Sequence, residues 1–123
     1  MKFRLKATDC TLDDALRVYV DQKIVAVARK FLSGGGLLDS AIVDIEIGRF
    51  TKHHRKGTIW RAEANLSLPG AFLRAESSAE DVRSAIDLLK EELEVELRKY
   101  KTKKIEKIRR GGRKAKQKFI MNE

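Results

Sequence analysis

A chain of 123 residues, 42% of them hydrophobic and 37% charged, has material for one core under a densely charged surface, and a second core would leave each half too little buried area. Its single cysteine, Cys10, excludes an intramolecular disulfide and any two-cysteine metal or redox motif, which points to a reducing compartment. The net charge of +9 is unevenly placed: residues 98–118 hold 12 Lys or Arg against the one acid Glu106, while residues 1–97 hold 15 basic and 16 acidic residues, so the field that attracts a polyanion sits at one end.

Phe3, Leu5 and Ala7 alternate with Lys2, Arg4 and Lys6, and this period of two predicts a first strand over Met1–Ala7. The alternation is unlike the apolar core of a signal peptide, and no apolar run approaches ~20 residues, so a cytoplasmic protein without membrane association is expected. Thr11 followed by Asp14 reads as a capping box, and Leu12, Leu16, Tyr19, Val20, Ile24, Val27, Phe31 and Leu32 recur at helical spacing, predicting a first helix over residues 12–32 that Gly34, Gly35 and Gly36 end.

Val43, Ile45 and Ile47 alternate with Asp44 and Glu46 in a second strand that stops at Gly48. A basic loop follows over residues 49–57. Trp60, Ala62, Ala64, Leu66 and Leu68 mark the inward face of a third strand, Pro69-Gly70 a turn, and Phe72–Glu76 a fourth strand with Leu73 and Ala75 inward. Ser77 and Glu80 read as a second capping box. Beyond them Val82, Ile86, Leu89, Leu93, Leu97 and Tyr100 form the apolar stripe of a long second helix, which Gly111 and Gly112 are expected to end. The residues after Gly112 are expected to be disordered without a partner. The order β-α-β-β-β-α predicts an α+β domain, with two helices on one face of a four-stranded, mainly antiparallel sheet.

The constellations that carry chemistry are poor. His53-His54 lacks a third ligand for a metal, and Gly34–Gly36 lacks the Lys-Ser/Thr of a P-loop. Glu91, Glu92, Glu94 and Glu96 lie opposite the apolar stripe as a solvated face, and Ser77 and Ser78 have no histidine nearby. Neither an enzyme nor a cofactor is expected, and no small-molecule substrate. Exposed aromatics for stacking bases are scarce, Phe50 and Phe72 being the candidates, which favours readout of backbone and shape. The residues alone leave open a module for structured RNA and a protein-interaction adaptor.

Three fragments resemble one family, the ribosome hibernation promoting factors or ribosome-associated translation inhibitors: Asp81-Val82-Arg83-Ser84-Ala85-Ile86-Asp87, Arg98-Lys99-Tyr100-Lys101-Thr102-Lys103, and Ala15-Leu16-Arg17-Val18-Tyr19-Val20 with Lys23, Arg29 and Phe31. The resemblance spans residues 1–104. It implies a fold related to double-stranded-RNA-binding domains, lodged in the decoding channel of the small ribosomal subunit, where it blocks messenger and transfer RNA under stress. The partner implied is ribosomal RNA with ribosomal proteins, and the unbound protein is expected to be monomeric.

The matched positions Arg17, Lys23, Arg29, Arg98, Lys99, Lys101 and Lys103 then carry RNA contacts, joined by Lys30, Arg83 and Lys90. The chain departs from the pattern at Ala26, Glu92 and Val95, where basic residues are expected, and at Glu96, where a neutral polar one is. A basic extension over residues 105–123 is expected to compensate, with Lys104, Lys107, Arg109, Arg110, Arg113, Lys114, Lys116 and Lys118 taking part of the grip. The long members' C-terminal domain that pairs ribosomes is not expected in a chain of this length, which reads as a short form.

Overall fold

The structure is a computed structural model that describes the backbone of residues 1–33, 36–51 and 58–121 and the side chains of residues 1–33, 36–49 and 59–105. Strand β1 (Lys2–Thr8) leads into helix α1 (Asp14–Val20), a π-helical turn (Asp21–Val25) and α2 (Ala26–Leu32). A short α3 (Leu37–Ser40) precedes β2 (Ile42–Thr51), β3 (Thr58–Leu68), β4 (Ala71–Ala79) and the long α4 (Val82–Met121). The sheet order is β1-β2-β3-β4, with β1 parallel to β2 and the remaining pairs antiparallel, which is the expected α+β architecture. The one parallel pair follows from the helical crossover, because a strand re-entering a sheet after a helix lies parallel to its neighbour.

Period-two patterning sets which face is buried. Val43, Ile45 and Ile47 of β2 and Ala62, Ala64 and Leu66 of β3 are buried with Leu16, Val20, Ile24, Ala28 and Leu32 of the first helical stretch and Ile86, Leu89, Leu93 and Leu97 of α4. Each such Leu, Ile or Val contributes ~1.5–3 kcal/mol relative to exposure. Trp60, Tyr19, Phe31 and Tyr100 are partly buried against this core.

The first helical stretch is not one regular helix. Its buried set at positions 12, 16, 20, 24, 28 and 32 recurs every fourth residue, and in a helix of 3.6 residues per turn that stripe would rotate by about 40° at each step. The wider π turn at Asp21–Val25 takes up this drift, and Val20, Ile24 and Ala28 stay fully buried.

Four boundaries differ from the sequence reading. The α1 cap is Asp13, whose carboxylate accepts from the Leu16 N–H at 2.7 Å, and not Thr11; a carboxylate also complements the helix dipole. Ser77 and Ser78 belong to β4, which extends to Ala79. Asp81 instead accepts from the Ser84 N–H at 2.8 Å, while the Ser77 hydroxyl donates to the Ala85 carbonyl at 2.6 Å and ties β4 to the first turn of α4. Gly111 and Gly112 do not end α4, whose backbone runs through them to Met121. Strand β2 likewise continues past Gly48 to Thr51. The Pro69-Gly70 turn is as expected, with Gly70 at φ 74° where a type II turn needs a left-handed residue.

Candidate nucleic-acid interface

The two faces of the domain differ in how their charges are used. On the open face of the sheet, cross-strand register sets Arg4 beside Asp44 and Glu63 beside Glu76. Arg4 pairs with Asp44 at 2.6 Å, Arg61 with Glu76 at 2.7 Å, and Arg74 with Glu63 at 3.2 Å and Glu76 at 3.5 Å. Each exposed pair is worth only ~0–1 kcal/mol, but together they cancel the local field. The Arg61 guanidinium holds the Glu76 carboxyl below its ordinary value by hydrogen bond and charge. Phe72 is 64% exposed beside this ladder; the side chain of Phe50 lies outside the described residues.

The helical face carries cations that aromatic rings position. Helices α1, α2 and α4 run in the same direction, since Tyr19 meets Asp87 near the start of their seam and Phe31 meets Lys101 near its end. The Tyr19 hydroxyl donates to the Asp87 carboxylate. That hydrogen bond, then burial, then the Asp87 charge raise the phenol above its ordinary value of 10.0, with Arg83 opposing. The Arg83 guanidinium stands 4.9 Å and the Lys23 ammonium 5.6 Å from the Tyr19 ring centre, and Lys101 lies 5.5 Å from the Phe31 ring centre. Such cation–π contacts hold long side chains in place while leaving their donors directed outward.

Of the expected contact residues, Lys23, Arg83 and Lys101 therefore converge on this seam. Lys90 and Arg98 share Glu94 at 3.9 and 3.4 Å, and Lys99 pairs with Glu96 at 3.5 Å. These three cations are partly neutralised by their own helix. Arg17, Arg29 and Lys30 are exposed on α1 and α2, and no described interaction joins them to the seam. Lys103 and Lys104 line a groove under α4 with Tyr100. Lys107, Arg109, Arg110, Arg113, Lys114, Lys116 and Lys118 lie on the α4 backbone, with side chains outside the described ones, and His53 and His54 are outside the described residues altogether. The sequence reading missed Tyr19, Phe31, Asp87 and Glu94 as organising residues, although the four-residue spacings Tyr19–Lys23, Arg83–Asp87, Lys90–Glu94 and Glu94–Arg98 place each pair on one helix face.

Among the described residues no group of three or more His, Cys, Asp or Glu could hold a metal ion, and no helix is long and apolar enough to cross a membrane. The Cys10 thiol donates to the Ile47 carbonyl at 3.6 Å.

Residues 3–105 match the family model described as Sigma 54 modulation protein / S30EA ribosomal protein. The chain is 32% identical over 103 residues to the ribosome hibernation promotion factor of Lactococcus lactis subsp. cremoris, covering 84% of this chain and 51% of that protein. It is 29% identical over 112 residues to the ribosome hibernation promotion factor of Staphylococcus aureus, covering 91% and 54%. The chain thus spans about half the length of these curated relatives. In fold it is similar to the N-terminal domain of Thermus thermophilus Protein Y (TM-score 0.64, 24% identity, 81% of this chain and 99% of that one). A ribosomal subunit interface protein from Coxiella burnetii is equally similar (TM-score 0.64, 24% identity, 83% and 99%).

Proposed function

Because the chain belongs to the Sigma 54 modulation protein / S30EA ribosomal protein family, we propose that it is a ribosome hibernation factor that binds the small subunit at the decoding channel and blocks messenger and transfer RNA. The observation that carries this reading is the pairing of a family match over residues 3–105 with a helical face whose cations are held ready for phosphate, opposite a sheet face whose charges cancel. Lys23, Arg83 and Lys101 make the first contacts. Lys90, Arg98 and Lys99 join as phosphate displaces the half-buried Glu94 and Glu96, an exchange whose cost is small because the three cations themselves lie at the surface. Residues 1–104 form the docking body and residues 105–123 a second grip. Catalysis plays no part, and the protein works in the cytoplasm as a monomer until it binds.

Co-sedimentation with small ribosomal subunits over a salt series, with and without messenger and transfer RNA as competitors, tests this. The reading expects about one copy per subunit, displaced by the competitors and weakened by salt. Binding indifferent to both competitors would remove channel occlusion and leave a module for other structured RNA. Deleting residues 105–123, which carry seven Lys or Arg, is expected to flatten the salt dependence by roughly 0.7–0.9 log units per decade of salt for each phosphate no longer neutralised. An unchanged slope would deny the extension its role.

A further inference from the structure

Where α4 passes the end of the sheet, a groove of about 680 Å³ opens between the Pro69-Gly70 turn, α3 and α4. Leu37, Pro69 and Ala71 supply apolar walls, the half-buried Tyr100 an aromatic one, and Lys103 and Lys104 two ammonium groups. The volume lies within the ~300–1,000 Å³ of small-ligand sites, and an apolar lining with a few charged groups is the usual composition of such sites. We propose that this groove takes one unpaired nucleotide of RNA, its base against Tyr100 and its phosphate between Lys103 and Lys104. The proposal rests on the RNA-binding reading above and adds a local contact to base and phosphate together, which the seam does not offer.

Three features favour a nucleotide. The Tyr100 ring already packs against the core, so stacking a base on it orders little that is not ordered already, and stacking tolerates any base. Its Tyr100, Lys103 and Lys104 belong to a helix segment, residues 98–118, with net charge +11, which selects a polyanion. Lys104 lies three residues beyond Lys101 on α4, a spacing that sets side chains ~5–6 Å apart on the helix surface. A strand running along the seam at Lys101 and Phe31 can therefore pass its next phosphate into the groove. The turn leaves the mouth open, with nothing within 4 Å of where a side chain on Gly70 would begin.

The test is a titration of the full chain followed by amide NMR, with adenosine 5′-monophosphate as probe and adenosine, inorganic phosphate and an acidic peptide containing phenylalanine as comparisons. Saturable shifts at Gly70, Ala71 and Tyr100 are expected from the nucleotide, with adenosine and phosphate each weaker. The exposed double variant Lys103→Gln/Lys104→Gln should weaken the nucleotide about ten-fold or more without unfolding the chain. Tyr100→Leu should weaken it by about 5- to 150-fold, the range for removing one stacking ring, while Tyr100→Phe retains it. Equal shifts from phosphate alone would reduce the groove to an anion site and overturn the proposal, as would tighter binding of the peptide. A silent groove in a protein that still co-sediments with ribosomes removes this proposal alone; loss of both removes the reading beneath it.

Discussion

The two halves of α4 are one helix under different constraints. From Val82 to Leu97 it buries Ala85, Ile86, Leu89, Leu93 and Leu97 against the sheet and presents Glu91, Glu92 and Glu94 to solvent or to its edge. From Arg98 onward no described residue is buried, Ile105 is 49% exposed, and the charge is strongly positive. The near half is helical because the sheet holds it. The far half is helical because it extends a nucleus already formed: starting a helix costs about 4 kcal/mol (σ ≈ 10⁻³), whereas extending one costs little per residue. That is why Gly111 and Gly112, at ~1 kcal/mol each, do not stop it, and the cations of the last turns are favoured by the helix dipole.

This contrast is most sharply broken in the core. Leu93→Ala, at a side chain with 0% exposure, should cost ~2–5 kcal/mol in urea denaturation, while deleting residues 105–123 should leave the midpoint within ~0.5 kcal/mol. A deletion as damaging as Leu93→Ala would mean the far half supports the fold. Next, replacing Gly111 and Gly112 by alanine should stabilise the far half by up to ~2 kcal/mol, read as a gain in 222 nm ellipticity on heating with the body's transition unmoved. Smaller again, Asp13→Ala removes the α1 cap and should cost ~1 kcal/mol, whereas Thr11→Ala, at the position favoured by sequence pattern, should cost little.

The smallest effect is in pH. Ser84, through its N–H and hydroxyl, holds the Asp81 carboxyl below its ordinary value of 3.8, and Arg61 does the same for Glu76. Depressed carboxyls stabilise the fold above their ordinary values and lose that contribution as pH falls through the depressed ones, so denaturation midpoints should decline below about pH 4. Tyr19 behaves oppositely. Its phenol lies above 10.0, so its contribution is intact below pH 10 and disappears as pH rises through the raised value, which ultraviolet titration of tyrosinate should reveal as one late-ionising ring.

The sequence carried the sheet and its burial in plain form, because strict alternation in β2 and β3 admits one inward face. Caps were ambiguous for a physical reason: Thr11 and Asp13 both precede the same apolar run, and only the backbone path decides which oxygen reaches an N–H. The π turn was latent in the four-residue spacing from Leu12 to Leu32, which a regular helix could not keep buried. The seam was harder, since Tyr19 and Asp87 are 68 residues apart and their meeting depends on the parallel course of two helices. For the groove at Tyr100, the walls come from α3, a turn and α4, and no local pattern joins them.

The unbroken course of α4 also fixes phase. Each residue advances the helix by ~1.5 Å and turns it by about 100°, so from Leu97, the last buried side chain among the described residues, to Met121 the chain reaches about 36 Å at a set azimuth. One residue inserted after Leu97 would swing every cation beyond it around the axis by over a quarter turn while leaving composition and charge nearly untouched. The basic half of α4 is in this sense a keyed shaft, and under the proposed function its grip on RNA would depend on angle as well as on charge.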